Sequence, residues 1–216
     1  MKKQYLVLIA SVLLLTIFVI AALLFNTQKA SELSETANKN TSFLVRDYSP
    51  TIGDEKAKVT IVEFFDPACE TCRAFYPFVK KLMASNPGKI KLVLRYIPLH
   101  KGSDYVVKIL ESARLQNKFW KTLEATYQAQ PAWAEHGNPQ PERLWRYLGR
   151  VGLDFKKARE DMQSPTIADR IQKDMADARQ LQVTKTPGFF VNGKPLVRFG
   201  YEQLQNLVET EIRKNY

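Results

Sequence analysis

The pattern of apolar positions changes character along the chain. From Tyr5 to Phe25 apolar residues run without a charge, a Pro or a Gly. As a helix rising about 1.5 Å per residue, that run covers the roughly 30 Å hydrocarbon core of a bilayer. Residues 26–42, NTQKASELSETANKNTS, are polar and poor in aromatics, the composition of a tether. From Phe43 the composition turns globular. KVTIVEFF, residues 58–65, is β-branched and aromatic without a helical period, which predicts a buried strand that Asp66-Pro67-Ala68 breaks. Beyond it Cys72, Phe75, Tyr76, Val79, Leu82 and Met83 share one face at helical spacing, until Pro87-Gly88 ends the helix. KIKLVLRYI, residues 89–97, predicts a second strand stopped by Pro98. Between about 103 and 182 apolar residues recur every three or four positions with Gly and Pro at the breaks, which predicts helices only. GFFVNGKPLVRF then reads as a hairpin turning at Asn192-Gly193, and YEQLQNLVETEIRKNY as a closing amphipathic helix.

The order strand, helix, strand, helical block, hairpin, helix predicts an α/β domain with a mixed central sheet and helices packed around it. The plan is a short start at 1–4, a membrane span at 5–25, a polar linker at 26–42 and a folded domain at 43–216 with a helical insertion over about 101–180. The apolar run is longer than that of a cleaved signal peptide, and no clear small-x-small site follows it, so an uncleaved signal anchor is expected. Lys2 and Lys3 favour a cytoplasmic start, which places everything after residue 25 on the other side of the membrane.

Composition narrows the function classes. A chain of 216 residues that is 45% hydrophobic, with twelve Phe and nine Tyr, can fill a core of ordinary size. The net charge of +10 raises the question of a nucleic-acid partner, but the cations are interleaved with acids, as in KKARED and RIQKDMADAR, and read as a solvated face. No nucleic acid is expected.

Candidate chemistry is concentrated in FFDPACETCRAFYPF, which holds both cysteines of the chain, Cys69 and Cys72. A structural zinc site needs four ligands, and His100 and His136 stand at no finger spacing. Haem attachment wants a His where Arg73 stands. A staple closing so small a loop removes little unfolded-state entropy. A redox pair outside the cytoplasm fits better. Cys69 at a helix N-terminus is stabilised as a thiolate, the attacking species in exchange, with Cys72 one turn away on the apolar face to resolve the mixed disulfide. Glu70 and Thr71 between them tune the couple. Glu70 opposes the thiolate unless it points to solvent, and Arg73 partly offsets it.

A CxxC at the first strand-to-helix turn, a Thr-Pro before the hairpin and a helical insertion between them resemble the thioredoxin superfamily, and specifically its DsbA-like extracytoplasmic thiol-disulfide oxidoreductases, over about residues 43–216. The resemblance implies a thioredoxin fold with an inserted helical domain. It implies that Thr186 and Pro187 are the Thr and cis-proline facing the cysteines, with Thr186 presenting a backbone edge to an extended substrate. It places Glu63 as a buried acid relaying the proton of Cys72; without the family, Glu63 is a salt-bridged strand acid. Pro77 matches a helix-kinking proline. His100 either borders the site or packs, and Trp120 reads as core. Trp133 and His136, in the loop PAWAEHGNPQP, are read as exposed and without a role. The Pro-His of the archetypal strong oxidant is absent between these cysteines, which implies a less depressed thiol pKa and a milder oxidant.

The activity implied is a dithiol oxidase acting on reduced or unfolded secreted clients and reoxidised by a quinone-linked DsbB-like membrane partner. The first alternative is a reductase or isomerase fed by a membrane electron donor; the second is a peptide-holding chaperone with an incidental disulfide. No metal, flavin or nucleotide is implied. A monomer is expected, since residues 26–42 are too few for a folded dimerisation module. The location implied is the bacterial cell membrane, single-pass, with the catalytic domain in the periplasm or extracytoplasmic space.

Overall fold

The computed structural model describes residues 2–39, 41–135 and 139–216; His136 lies outside them. The chain begins with helix α1 (Lys2–Lys39) and a single helical turn, α2 (Thr41–Leu44). Within α1, Val7–Phe25 is long and apolar enough to cross a membrane, and none of it is buried inside the protein. The helix does not stop there. It carries on through the polar residues 26–39, where Gln, Lys, Ala, Glu and Leu are good helix formers and no Pro or Gly intervenes.

The elements that follow are β1 (Thr51–Gly53), β2 (Val59–Phe65), α3 (Glu70–Ser85), β3 (Ile90–Tyr96), α4 (Ser103–Leu115) and α5 (Phe119–Trp133). Two 3-10 segments, Pro141–Tyr147 and Gly149–Val151, lead to α6 (Phe155–Asp161) and α7 (Pro165–Gln180). The hairpin β4 (Gly188–Val191) and β5 (Lys194–Pro195) and helix α8 (Tyr201–Asn215) complete the domain. The sheet order is β1-β3-β2-β4-β5. Strands β2 and β3 run parallel, and β1, β4 and β5 pair antiparallel to their neighbours. This is the mixed sheet of a thioredoxin fold, with a helical block between β3 and β4.

Strand alternation divides the sheet into two faces. Val59, Ile61, Phe65, Leu92, Leu94 and Tyr96 point to one side, where they pack with the apolar stripes of α3 and α8 and with residues of α4, α5 and α7. Val62, Phe64, Val93 and Phe190 point to the other, under Leu44 and the Ala178 end of α7. A further core within the helical block gathers Trp133, Leu144, Trp145 and Leu148, and it includes Ala68 of the turn after β2. The cysteine turn is therefore wedged between sheet and helical block.

Two features depart from the sequence reading. Trp133 is 1% exposed rather than a loop surface residue, because α5 continues through Pro131 and the indole Nε1 donates to Thr126 O at 3.0 Å. A proline in the last turn forfeits one helical hydrogen bond, which burial of a large aromatic outweighs. The edge strand β1 was not read at all. It is short and ends in Gly53, whose φ of 117° suits glycine and where a Cβ would fall 2.6 Å from Ile90 O.

Candidate active site around the cysteine pair

Strand β2 delivers the chain to a turn that is fixed before the cysteines are reached. The Asp66 carboxylate is fully buried and accepts from Ala68 N at 2.8 Å and Ser103 Oγ at 2.6 Å through Oδ1. Through Oδ2 it meets Leu99 N, His100 N and His100 Nδ1 at 2.7, 2.9 and 2.7 Å. An Asp that bonds the backbone two residues on is a turn former; here the same side chain also fastens the turn to the approach of α4. His100 thus borders the turn with its ring half-exposed, 50% at the side chain.

Cys69 is the N-cap of α3, in extended conformation with φ −72° and ψ 118°. Its carbonyl accepts from Arg73 N, and its Sγ accepts from Cys72 N at 3.3 Å, so the sulfur occupies the position of a capping oxygen. Both cysteines are free thiols. Their surroundings push them apart. The Cys69 thiol is lowered from 9.0 to about 6, first by a side-chain hydrogen bond with Cys72, then by one with Thr186 and by the backbone N–H groups of Cys72 and Thr71, with partial burial opposing. Cys72, 0% exposed, is raised well above its ordinary value by burial first, then by its bond to Cys69 and by the charges of Glu63 and Cys69.

Across from this turn lies the loop before β4. The Thr186-Pro187 peptide is cis, and the Cys69 S–H lies 3.4 Å from Thr186 O. Residues more than a hundred positions apart in sequence thus form the two walls of one small site. Glu63, on the same strand face as Ile61 and Phe65, is 1% exposed, and neither carboxyl oxygen has a hydrogen-bond partner. Burial, then the Cys69 charge, raises it from 4.5 to about 8, so a neutral acid underlies the cysteines at neutral pH. No salt bridge to Glu63 is present among the described residues, which leaves its reading as a paired strand acid without support.

The other residues singled out fall around this centre. Glu70 and Thr71 are exposed on the first turn of α3, and Arg73 is half-buried one turn on. Pro77 is exposed within α3. Trp120 packs partly buried on the main core beside Phe119. Sequence reasoning missed Asp66, Tyr127 and Gln130. Tyr127 is buried and feels the charges of Cys72, Glu63 and Cys69, in that order, after burial itself has raised its phenol. The Gln130 amide donates to Pro67 O at 2.9 Å and to Cys69 O at 3.1 Å. Asp66 had a local signal, an Asp-Pro at the end of a strand. The α5 pair had none. Among the described residues no group of three or more His, Cys, Asp or Glu is placed to hold a metal.

Comparison with known proteins gives this geometry a setting. A family model described as thioredoxin matches residues 46–210. The Na(+)/H(+) antiporter NhaA of Herminiimonas arsenicoxydans is 30% identical over 144 residues, which are 67% of this chain and 22% of that protein. The chain therefore spans about a fifth of the length of the antiporter relatives it matches. The disulfide bond formation protein D of Bacillus subtilis (strain 168) is 25% identical over 181 residues, covering 76% of this chain and 77% of that one. The crystal structure of a thioredoxin-like oxidoreductase from Silicibacter pomeroyi DSS-3 superposes with a TM-score of 0.68 at 30% identity, covering 81% of this chain and 98% of that one.

Proposed function

The chain belongs to the thioredoxin superfamily as a DsbA-like member, and from that premise we propose that it is a membrane-tethered, extracytoplasmic thiol-disulfide oxidoreductase that oxidises client dithiols. The observation that carries this reading is the split between the cysteines: a capped, acidified Cys69 against the cis-Pro187 loop, and a buried, neutral Cys72.

In the oxidised protein a client thiolate attacks Sγ of Cys69. A client–Cys69 bond forms, the Cys69–Cys72 bond breaks, and its electron pair leaves on Cys72 Sγ. A thiolate buried there is strongly disfavoured, and the neutral Glu63 is the acid placed to protonate it. A second client thiolate then attacks the client sulfur of the mixed disulfide. Cys69 departs as the thiolate that its cap stabilises, the client holds a disulfide, and the protein is left as a dithiol. A good leaving group at Cys69 favours this direction over reduction of clients. In this reading Thr186, beside Cys69, binds the client backbone, and the exposed Glu70 and Thr71 tune the couple. Residues 5–25 would anchor the domain, and a membrane oxidase would restore the disulfide.

Thiol trapping in cells tests the direction. Cys69 and Cys72 are expected to be mostly oxidised, and a mostly reduced pair would sink the oxidase reading in favour of a reductase or isomerase. Cys72→Ser is expected to accumulate client mixed disulfides and Cys69→Ser to lose activity. A Cys69→Ser protein with full activity would point to a chaperone instead.

A further inference from the structure

The helical block packs over the sheet, and one of its side chains also reaches the nucleophile's own backbone. Gln130, in the next-to-last turn of α5, is 1% exposed. Its Nε2 donates to Pro67 O at 2.9 Å and to Cys69 O at 3.1 Å, while its Oε1 has no partner. A buried amide with an unsatisfied acceptor carries a desolvation penalty, so the placement is not optimal for packing alone. What it does supply is two donors aimed at the two carbonyls that flank Ala68, immediately before helix α3.

We propose that Gln130 is a positioning residue for Cys69, through which the helical block holds the N-cap in the conformation that presents its sulfur to the free N–H groups of α3. The Cys69 carbonyl takes two donors, Gln130 Nε2 and Arg73 N, which fixes the peptide plane after Cys69. With Asp66 holding Ala68 N and Gln130 holding Pro67 O and Cys69 O, the 67–68 and 69–70 peptide units of the turn are each fastened by a buried side chain. The amide also brings the positive end of its dipole to carbonyl oxygens whose negative ends would otherwise stand close to a developing thiolate in a low-dielectric site. Both effects favour the charged sulfur. The helical block thus acts on the chemistry of Cys69 without touching the sulfur. The inference rests on the redox reading of the cysteine pair.

The test is the pH profile of Cys69 alkylation by iodoacetamide in detergent-solubilised, reduced full-length protein. It is paired with the equilibrium constant of the dithiol with glutathione. Gln130→Met keeps the length and loses both donors. Its profile is expected to move up by about half a pH unit or more, a roughly threefold loss of thiolate below the midpoint, with a matching threefold shift toward the disulfide. Gln128→Met, at an exposed site on the same helix, is the control and is expected to match the wild type. Should the Met variant not fold, Gln130→Glu keeps the volume and is expected to shift the profile further. A profile that coincides with the wild type while thermal stability falls would overturn the proposal, and so would failure of both variants to fold, since the amide would then be holding the fold. Failure of the wild type to oxidise any client would sink the redox reading alone, and the alkylation profile would still decide the role of Gln130.

Discussion

Glu63 and Asp66 stand three residues apart, both buried, and their surroundings give them different work. Asp66 meets five donors and acts as a fastener. Glu63 meets none, and burial drives it toward the neutral form with a pKa of about 8. A raised carboxyl pKa makes a definite statement about stability. The unfolded group titrates near 4.5, so its stabilising contribution is complete below that pH and is lost as the pH rises toward about 8. In the oxidised protein, where no thiol titrates, Glu63→Gln is expected to match the wild type in thermal unfolding at pH 4 and to unfold at a higher temperature at pH 8. A wild-type curve flat across that window would contradict it. The same variant is expected to slow the formation of client mixed disulfides at neutral pH by roughly 100-fold, the usual worth of a positioned proton donor, measured by stopped-flow. At this scale the sequence was legible where the chemistry is local. The pair Cys69 and Cys72 carries its meaning in a spacing, and Thr186-Pro187 in a dipeptide. Gln130 is one of two glutamines on α5, and only the fold brings it to Cys69 O.

At the scale of elements, the strands β2 and β3, helix α3, the hairpin and α8 could be read because each has a period or a strong stop signal. β1 could not, since three residues ending in glycine carry no pattern, and what makes them a strand is the edge of β3. Helix α7 illustrates a different limit. Its apolar period announces a helix, but its buried face also carries Asp174 and Asp177, whose partners lie far away in sequence. The Arg95 guanidinium, on β3 and 0% exposed, bonds both, at 2.7 Å to Asp174. Arg46 bonds Asp177 and Tyr48 bonds Asp174, so this group ties the sheet, α7 and the segment after α2 together. Breaking one partner leaves buried charge behind. Arg95→Met is therefore expected to cost about 3–5 kcal/mol, read as a lower denaturation midpoint in urea. A loss below about 1 kcal/mol would show that Arg46 and Tyr48 suffice.

The whole molecule joins an apolar helical stretch to a domain whose cysteine pair, working as proposed, would need an oxidising surrounding to persist as a disulfide. With Val7–Phe25 in the bilayer, the protein is expected to stay in the membrane fraction through alkaline carbonate extraction, and its domain to be digested by protease added to spheroplasts. Release by carbonate, or protection from the protease, would place the domain elsewhere. The domain itself was readable as a βαβ unit followed by a hairpin, because the spacing between those two motifs leaves room for a helical block. The wedging of the cysteine turn between sheet and block was not readable, because it depends on Ala68 joining the same apolar cluster as Trp133 and Leu144.

Helix α1 does not end where its apolar stretch does. Residues 26–39 continue it for about 21 Å at 1.5 Å per residue. A coil would let the whole tether bend in every direction; a helix over residues 26–39 stiffens that part of it into a mast. With Val7–Phe25 in the bilayer, the mast would confine the proposed chemistry to a thin layer above the lipid. If the domain oxidises secreted chains as proposed, it would meet them from the side in that layer, and a membrane partner that renews the disulfide would have to reach the same level.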